Sequence, residues 1–247
     1  MLIQKRFLLH LCCLSLVFLS FPLSAEPVSA EPVTTTPADN PIPHRQTWFK
    51  ECEDRVASAQ GKPVDIMFIG DSITQNFQEE PREKWKLVGA PVWKNHYAGR
   101  NALNFGVSSD GTQHILWRMD HMNIKNFSPK VIVLLAGVNN MQSTPEEIAA
   151  GTKAVIQKCR TMYPGAKIIL MAILPNRRNP AKTAAANLIT KTFADNQTIY
   201  SLDLTPMMPL ENGNFKGVGI DHLHLTEEGY EIWASNLDPL LNQLLKQ

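Results

Sequence analysis

A surplus of one charge is missing from this chain: 24 Lys and Arg face 23 Asp and Glu across 247 residues. Nucleic-acid binding asks for a clustered basic surface, so a nucleic-acid partner is not expected. Long apolar runs are also scarce. The only one, Phe7 to Phe21, is short for a membrane span. Of four cysteines, Cys12 and Cys13 fall in that run, leaving Cys52 and Cys159. In an oxidising compartment these two could pair, or they could stay as buried thiols; sequence spacing does not decide.

What is present begins with Lys5 and Arg6 ahead of the apolar run and Leu23-Ser24-Ala25 after it. That is the architecture of a cleaved secretory signal over residues 1–25. The expected location is therefore secreted or periplasmic, with no stable membrane span after cleavage. Losing Lys5 and Arg6 would leave a mature net charge of −1. Residues 26–45 carry Glu-Pro-Val twice and prolines at 37, 41 and 43. Such a segment has little apolar surface to bury and few backbone donors, so it reads as a Pro-rich disordered linker. The folded domain is expected over 46–247, starting where Trp48, Phe49, Cys52, Val56 and Ala59 recur at helical spacing.

Within that domain, short β-branched runs at 64–69, 103–107, 131–136, 167–173 and 198–203 have strand length. Helical patterns lie between them, at 75–86, 111–125, 145–162, 182–194 and 226–245. Alternating strand and helix implies crossover connections. The expected fold is a three-layer α/β/α sandwich around a five-stranded, mostly parallel sheet. In such sheets ligands bind outside the carboxyl ends of the strands.

The polar residues at those ends form a constellation. The first strand stops at Gly70 and delivers Asp71 and Ser72; a serine there is a candidate nucleophile if a base stands beside it. Gly106 ends the second strand, either as a simple turn or to bring its backbone N–H close to a ligand. Asn139 follows the third, as a turn residue or as a donor to a developing oxyanion. Asp221 and His224 lie on the loop before the final helix. Their separation suits an acid that orients an imidazole. A core or capping histidine and a metal site of Asp221, His222 and His224 compete with that reading, although no further ligand cluster at zinc-like spacing accompanies them.

Gly70-Asp71-Ser72, Gly106, Gly137-x-Asn139 and Asp221-x-x-His224, in this order, resemble the four blocks of the SGNH/GDSL hydrolase family. The resemblance covers about residues 46–245. Ala102-Leu103-Asn104-Phe105-Gly106, Asp110 to Arg118, Asn140 and Leu223-His224-Leu225 resemble the platelet-activating-factor acetylhydrolase branch of that family. The resemblance implies a flavodoxin-like SGNH fold, Ser72 as nucleophile, His224 as general base and acid, and Asp221 as its partner. It implies an oxyanion hole from Ser72, Gly106 and Asn139, an acyl pocket walled by Ile73, Val138 and Leu223, and a homodimer. Three bulky apolar walls point to a short acyl chain, acetyl first. Position 140 is Asn where the broad family has Asp, which leaves its role open.

The expected function is thus an exported serine esterase acting on short acyl esters, with no metal or organic cofactor. Its substrate would be a small-molecule or glycan ester, and compartment alone favours carbohydrate. The loop Asn176-Arg177-Arg178-Asn179 and the region from Asn187 to Ile199 are candidates to line the alcohol side. A catalytically weak carbohydrate- or surface-binding module on the same fold is the alternative, because fold does not fix function.

Overall fold

The computed structural model describes residues 38–44 and 49–246. The expected signal, with Cys12 and Cys13, and most of the expected linker lie outside them. Five strands form one sheet: β1 (Ile66–Gly70), β2 (Ala102–Gly106), β3 (Val131–Leu135), β4 (Lys167–Met171) and β5 (Ile199–Leu202), in the order β2-β1-β3-β4-β5. Every pairing is parallel. β1 and β3 are buried at every position, as expected of parallel strands covered on both faces. The helices are α1 (Lys50–Ala59), α2 (Ser72–Asn76), α3 (Ala90–His96), α4 (Thr112–His121), α5 (Pro145–Met162), α6 (Pro180–Thr190) and α7 (Glu227–Leu245).

Alternating side chains sort the core into two halves. Met67 and Ile69 of β1, with Ile132 and Leu134 of β3, pack on α1, α4 and α5 through Val56, Ile115 and Val155. Ile66 and Phe68, with Val131 and Val133, pack on α3 and α7 through Trp93, Tyr97 and Trp233. That second half is aromatic: Phe68 lies 4.9 to 6.4 Å, ring centre to ring centre, from Tyr97, Trp93, Phe77 and Trp233.

The helix expected over 75–86 is not one helix. α2 ends at Asn76, and Arg82 and Trp85 meet in an isolated bridge before α3 begins. Pro81 cannot continue a helix, since it lacks the N–H and clashes with the preceding turn. Part of the expected linker is also docked. Ala38 is buried, its carbonyl accepts from Thr112 Oγ1 at 2.6 Å, and the Ile42 N–H donates to the Gln113 carbonyl at 3.3 Å. Cys52 and Cys159 are both free and buried, and burial pushes the Cys159 thiol up to about 12. Among the described residues no helix is long and apolar enough to cross a membrane.

Register carries the fold to the site. Gly70 lies opposite both Gly106 and Leu135, so β1, β2 and β3 end level. The segments after them emerge on one edge, where the strand order reverses about β1. In this architecture that reversal is where ligands sit.

Candidate active site

Ser72 is the first residue of α2, and Asp71 caps that helix by accepting the Ile73 N–H on Oδ1 at 3.0 Å. Neither glycine around it has room for a side chain. A Cβ on Gly70 would come within 2.5 Å of the Leu135 carbonyl, and one on Gly106 within 2.4 Å of the Gln75 nitrogen. The backbone of α2 therefore lies directly against the strand ends. Tyr230 of α7 fixes it from the aromatic side, donating its hydroxyl to the Ile73 carbonyl at 2.8 Å.

His224 Nε2 lies 2.8 Å from Ser72 Oγ, and its Nδ1 lies 2.6 Å from Asp221 Oδ2. The other Asp221 oxygen accepts the N–H groups of Leu223 and His224 at 3.1 and 3.0 Å. Burial pushes the Asp221 carboxyl up, but the His224 ring and these two N–H groups outweigh it, leaving the group below its usual range. An ionised Asp221 holds the ring proton on Nδ1, so Nε2 offers its lone pair to the serine. His222 does not join them. It sits at φ +59 and turns its Nδ1 to Asn214 Oδ1 at 3.0 Å, and among the described residues its ligand atoms do not gather with those of Asp221 and His224 as the competing metal reading requires. Trp85 stands edge-on to the His224 ring at 5.1 Å. It falls in the segment expected to be helical, so sequence pattern did not single it out.

The second side of the site is polar. Asn139 Nδ2 donates to the Asp110 carbonyl at 3.0 Å, and Arg178 Nη1 donates to Asn139 Oδ1 at 3.0 Å. A guanidinium only donates and a carbonyl only accepts, so the amide is held one way round. One Nδ2 hydrogen remains for a ligand. Asn140, whose role the sequence left open, supports the start of α4: its Oδ1 accepts the Thr112 N–H at 3.0 Å and its Nδ2 donates to Gln113 Oε1 at 2.7 Å. Asp110 is itself pinned by Arg118, both fully buried, through Nε to Oδ2 at 2.6 Å. Arg118 also donates to the Phe105 carbonyl at 3.1 Å and stacks over the Phe105 ring at 4.2 Å.

Gly106 requires a correction. Its N–H, expected to meet an oxyanion, donates to buried Asn104 Oδ1 at 2.9 Å, while Asn104 Nδ2 donates to the Thr74 carbonyl at 2.6 Å. The absent side chain admits the backbone of α2 rather than a ligand. Further along the loop, Ser109 adopts φ +62, and its N–H has no acceptor among the described residues. A non-glycine residue in the left-handed region is uncommon and often marks a functional turn.

Ile73, Val138 and Leu223, the expected acyl walls, are all at most 3% exposed and belong to the aromatic half of the core. Asn187 does not serve the alcohol side. Its amide clamps the Ile173 backbone through 2.8 and 2.9 Å bonds. Asp71 is a buried acid beside the nucleophile. Burial, opposed by the Ile73 N–H and reinforced by Asp110, pushes it up to about 7.

Among the described residues one cluster could hold a metal by proximity: ligand atoms of His44, Asp110 and His114 lie within 4.8 Å of one another. Its members come from distant parts of the chain, so no spacing reveals it. Yet His114 Nδ1 already accepts the Gly111 N–H at 2.9 Å, which places the proton on Nε2. Burial and the nearby His44 hold His114 down at about 4. The two rings stack at 4.2 Å and 7°, so their in-plane lone pairs do not converge, and Asp110 is engaged by Arg118. The donor set therefore suits a docking contact for residues 38–44 and not a metal.

The sequence matches the GDSL-like Lipase/Acylhydrolase family over residues 68–232. It is 31% identical over 211 residues to platelet-activating factor acetylhydrolase IB subunit alpha2 of Rattus norvegicus, covering 81% of this chain and 86% of that one. Among solved structures, a GDSL-like lipase from Bacteroides thetaiotaomicron superposes with a TM-score of 0.63 at 19% identity, covering 79% and 97% of the two chains. A carbohydrate esterase family 3 protein from Talaromyces cellulolyticus gives 0.58 at 18%, covering 74% and 98%. The class is that of carboxylic ester hydrolases acting on ester substrates. Within it, the chain belongs to the GDSL-like (SGNH) lipase/acylhydrolase family, near the platelet-activating-factor acetylhydrolase-like branch.

Proposed function

We propose that the protein is an exported serine esterase that removes short acyl groups, acetyl first, from acetylated carbohydrates. The observation that carries the reading is the hydrogen-bonded line from Ser72 Oγ through His224 to Asp221, 2.8 and 2.6 Å long, at the switch point of the sheet. His224 Nε2 takes the Ser72 proton as Oγ bonds to the acyl carbon. The carbonyl oxygen becomes an oxyanion, held by the Ser72 N–H, the second Nδ2 hydrogen of Asn139 and the Ser109 N–H. Collapse breaks the bond to the alcohol oxygen, which leaves with the proton from His224. Water then attacks the acyl-enzyme by the same route, releasing acid and restoring Ser72.

The acyl group would lie against Ile73, Val138 and Leu223, whose bulk leaves room for a short chain. The carbohydrate assignment is supported by the signal-like N-terminus and by the likeness in fold to a carbohydrate esterase. Hydrolysis of p-nitrophenyl esters from acetate to octanoate by the wild type and by Ser72→Ala, with and without chelator, tests the reading. The expected result is acetate cleavage that declines with chain length, is lost in Ser72→Ala and ignores chelator. Equal rates from both proteins would end it.

A further inference from the structure

Arg178 is exposed yet bonded to the Asn139 amide, the side chain proposed above as an oxyanion donor. Only one of the five N–H groups of its guanidinium has an acceptor among the described residues. No carboxylate of the described residues lies within 4.0 Å of Arg177, Arg178 or Lys182. From Pro175 through Ala194 the sequence holds four basic residues and no acidic one.

The loop that carries this charge is tied down. The Arg177 N–H donates to the His222 carbonyl at 3.1 Å, and its side chain to the Gly213 carbonyl at 2.9 Å. Lys182 Nζ donates to the Met141 carbonyl at 2.6 Å. Its three anchors are thus the histidine loop, the turn at Gly213 and the asparagine loop. The Arg178 charge is close enough to Ser72's neighbour to pull the Asp71 carboxyl down against its burial.

Resting on the serine-esterase reading, we propose that Arg178 selects esters whose alcohol part carries an anionic group, a carboxylate or a phosphate. The side follows from exclusion: the expected acyl walls are buried and apolar, so a solvent-facing guanidinium serves the leaving alcohol. The reach follows from the chain of contacts. One amide and two hydrogen bonds separate the guanidinium from the oxyanion, about 8 Å at most, which spans a few bonds of a sugar ring or a glycerol. A charge-assisted, forked contact to an oxyacid is what a guanidinium provides better than an ammonium.

The test compares 3-acetoxybenzoate with its methyl ester, two substrates alike except for the charge. Wild type should favour the carboxylate by about 5–10-fold in kcat/KM at low salt, chiefly through KM. Arg178→Ala loosens Asn139 and slows both esters, so the readout is their ratio. It should fall toward unity in Arg178→Ala, invert in Arg178→Glu, survive in part in Arg178→Lys, and shrink in wild type as salt rises. An O-acetylated methyl uronide and an acetylated glycerol phosphate then tell the two anions apart, by which loses more in Arg178→Ala. If both benzoate esters are cleaved in a Ser72-dependent way and the ratio ignores position 178, the anionic-substrate proposal fails and the esterase reading stands. If neither is cleaved in a Ser72-dependent way, the esterase reading fails with it.

Discussion

The two sides of the site are built by different physics. On one side, α2 is held by packing: Phe77 beneath it meets Trp93, Tyr97, Tyr230 and Trp233, and α7, whose N-terminus follows His224, brings Tyr230 and Trp233 into the same cluster. On the other, Asn139 is held by directed bonds running from Arg118 through Asp110 and in from Arg178. Aromatic packing gives stability in proportion to buried area and tolerates small errors of angle. A hydrogen-bond donor aimed at developing charge tolerates neither shift nor rotation. Damage on the first side should therefore appear mainly as lost stability, and damage on the second as lost turnover.

The largest effect expected on the packing side comes from Trp233→Ala. Removing this fully buried ring should cost about 3–5 kcal/mol while leaving kcat per folded molecule within a few-fold, as read by denaturant titration and active-site counting. A kcat loss above a hundredfold in the folded fraction would break the division. Next, Asn139→Ala should lower kcat by about 10²–10³ with a melting temperature near that of wild type. Near-wild-type turnover would remove Asn139 from the oxyanion site.

Asp71 sharpens the boundary between the two sides because it combines burial with charge. Its folded pKa of about 7 stands above the usual value near 3.9. The protonated form fits the fold, so the contribution of this group to stability is fully present below about pH 4 and is lost as pH rises through 7. Asp71→Asn keeps a cap for the Ile73 N–H and removes the charge. It should exceed wild type in stability at pH 8 by at most about 4 kcal/mol, with the gain gone at pH 4. Melting curves of the two proteins that run parallel from pH 4 to 8 would refute this. The smallest effect belongs to Ser109→Gly, which relieves the left-handed strain by about 1 kcal/mol and should leave turnover within a few-fold. A loss of stability would mean that the Ser109 side chain matters more than its backbone angle.

The sheet was legible in the sequence because strands buried on both faces are unbroken apolar runs, and all five lie within two or three residues of the expected positions. Ser72, Asp221 and His224 were legible as neighbours because level strand ends bring such residues together, and the structure places them in hydrogen-bond contact. The failures share another cause. Gly106 announces a close approach, but not whether a ligand or a helix makes it. Residues 38–44 have the composition of a tether, yet Ala38 and His44 dock on partners 74 and 66 residues away, a relation that no local pattern encodes. Pro81 marked a break that helical periodicity alone overrode, and Trp85 was hidden by it. The loop of Arg178 was legible as a candidate for the alcohol side from its polar composition, but its bond to Asn139 was not, because the two residues are 39 positions apart.

The tight seating of α2 on Gly70 and Gly106 also bears on directed evolution of this enzyme. With the Leu135 carbonyl and the Gln75 nitrogen inside van der Waals contact of any added methyl, the strand ends beneath the nucleophile admit no diversity. Variation that alters which esters are accepted has to enter through the segments around Trp85 and Arg178, which border the site without supporting the serine. A library placed there would retain its folded members, whereas one placed at the two glycines would consist largely of unfolded chains.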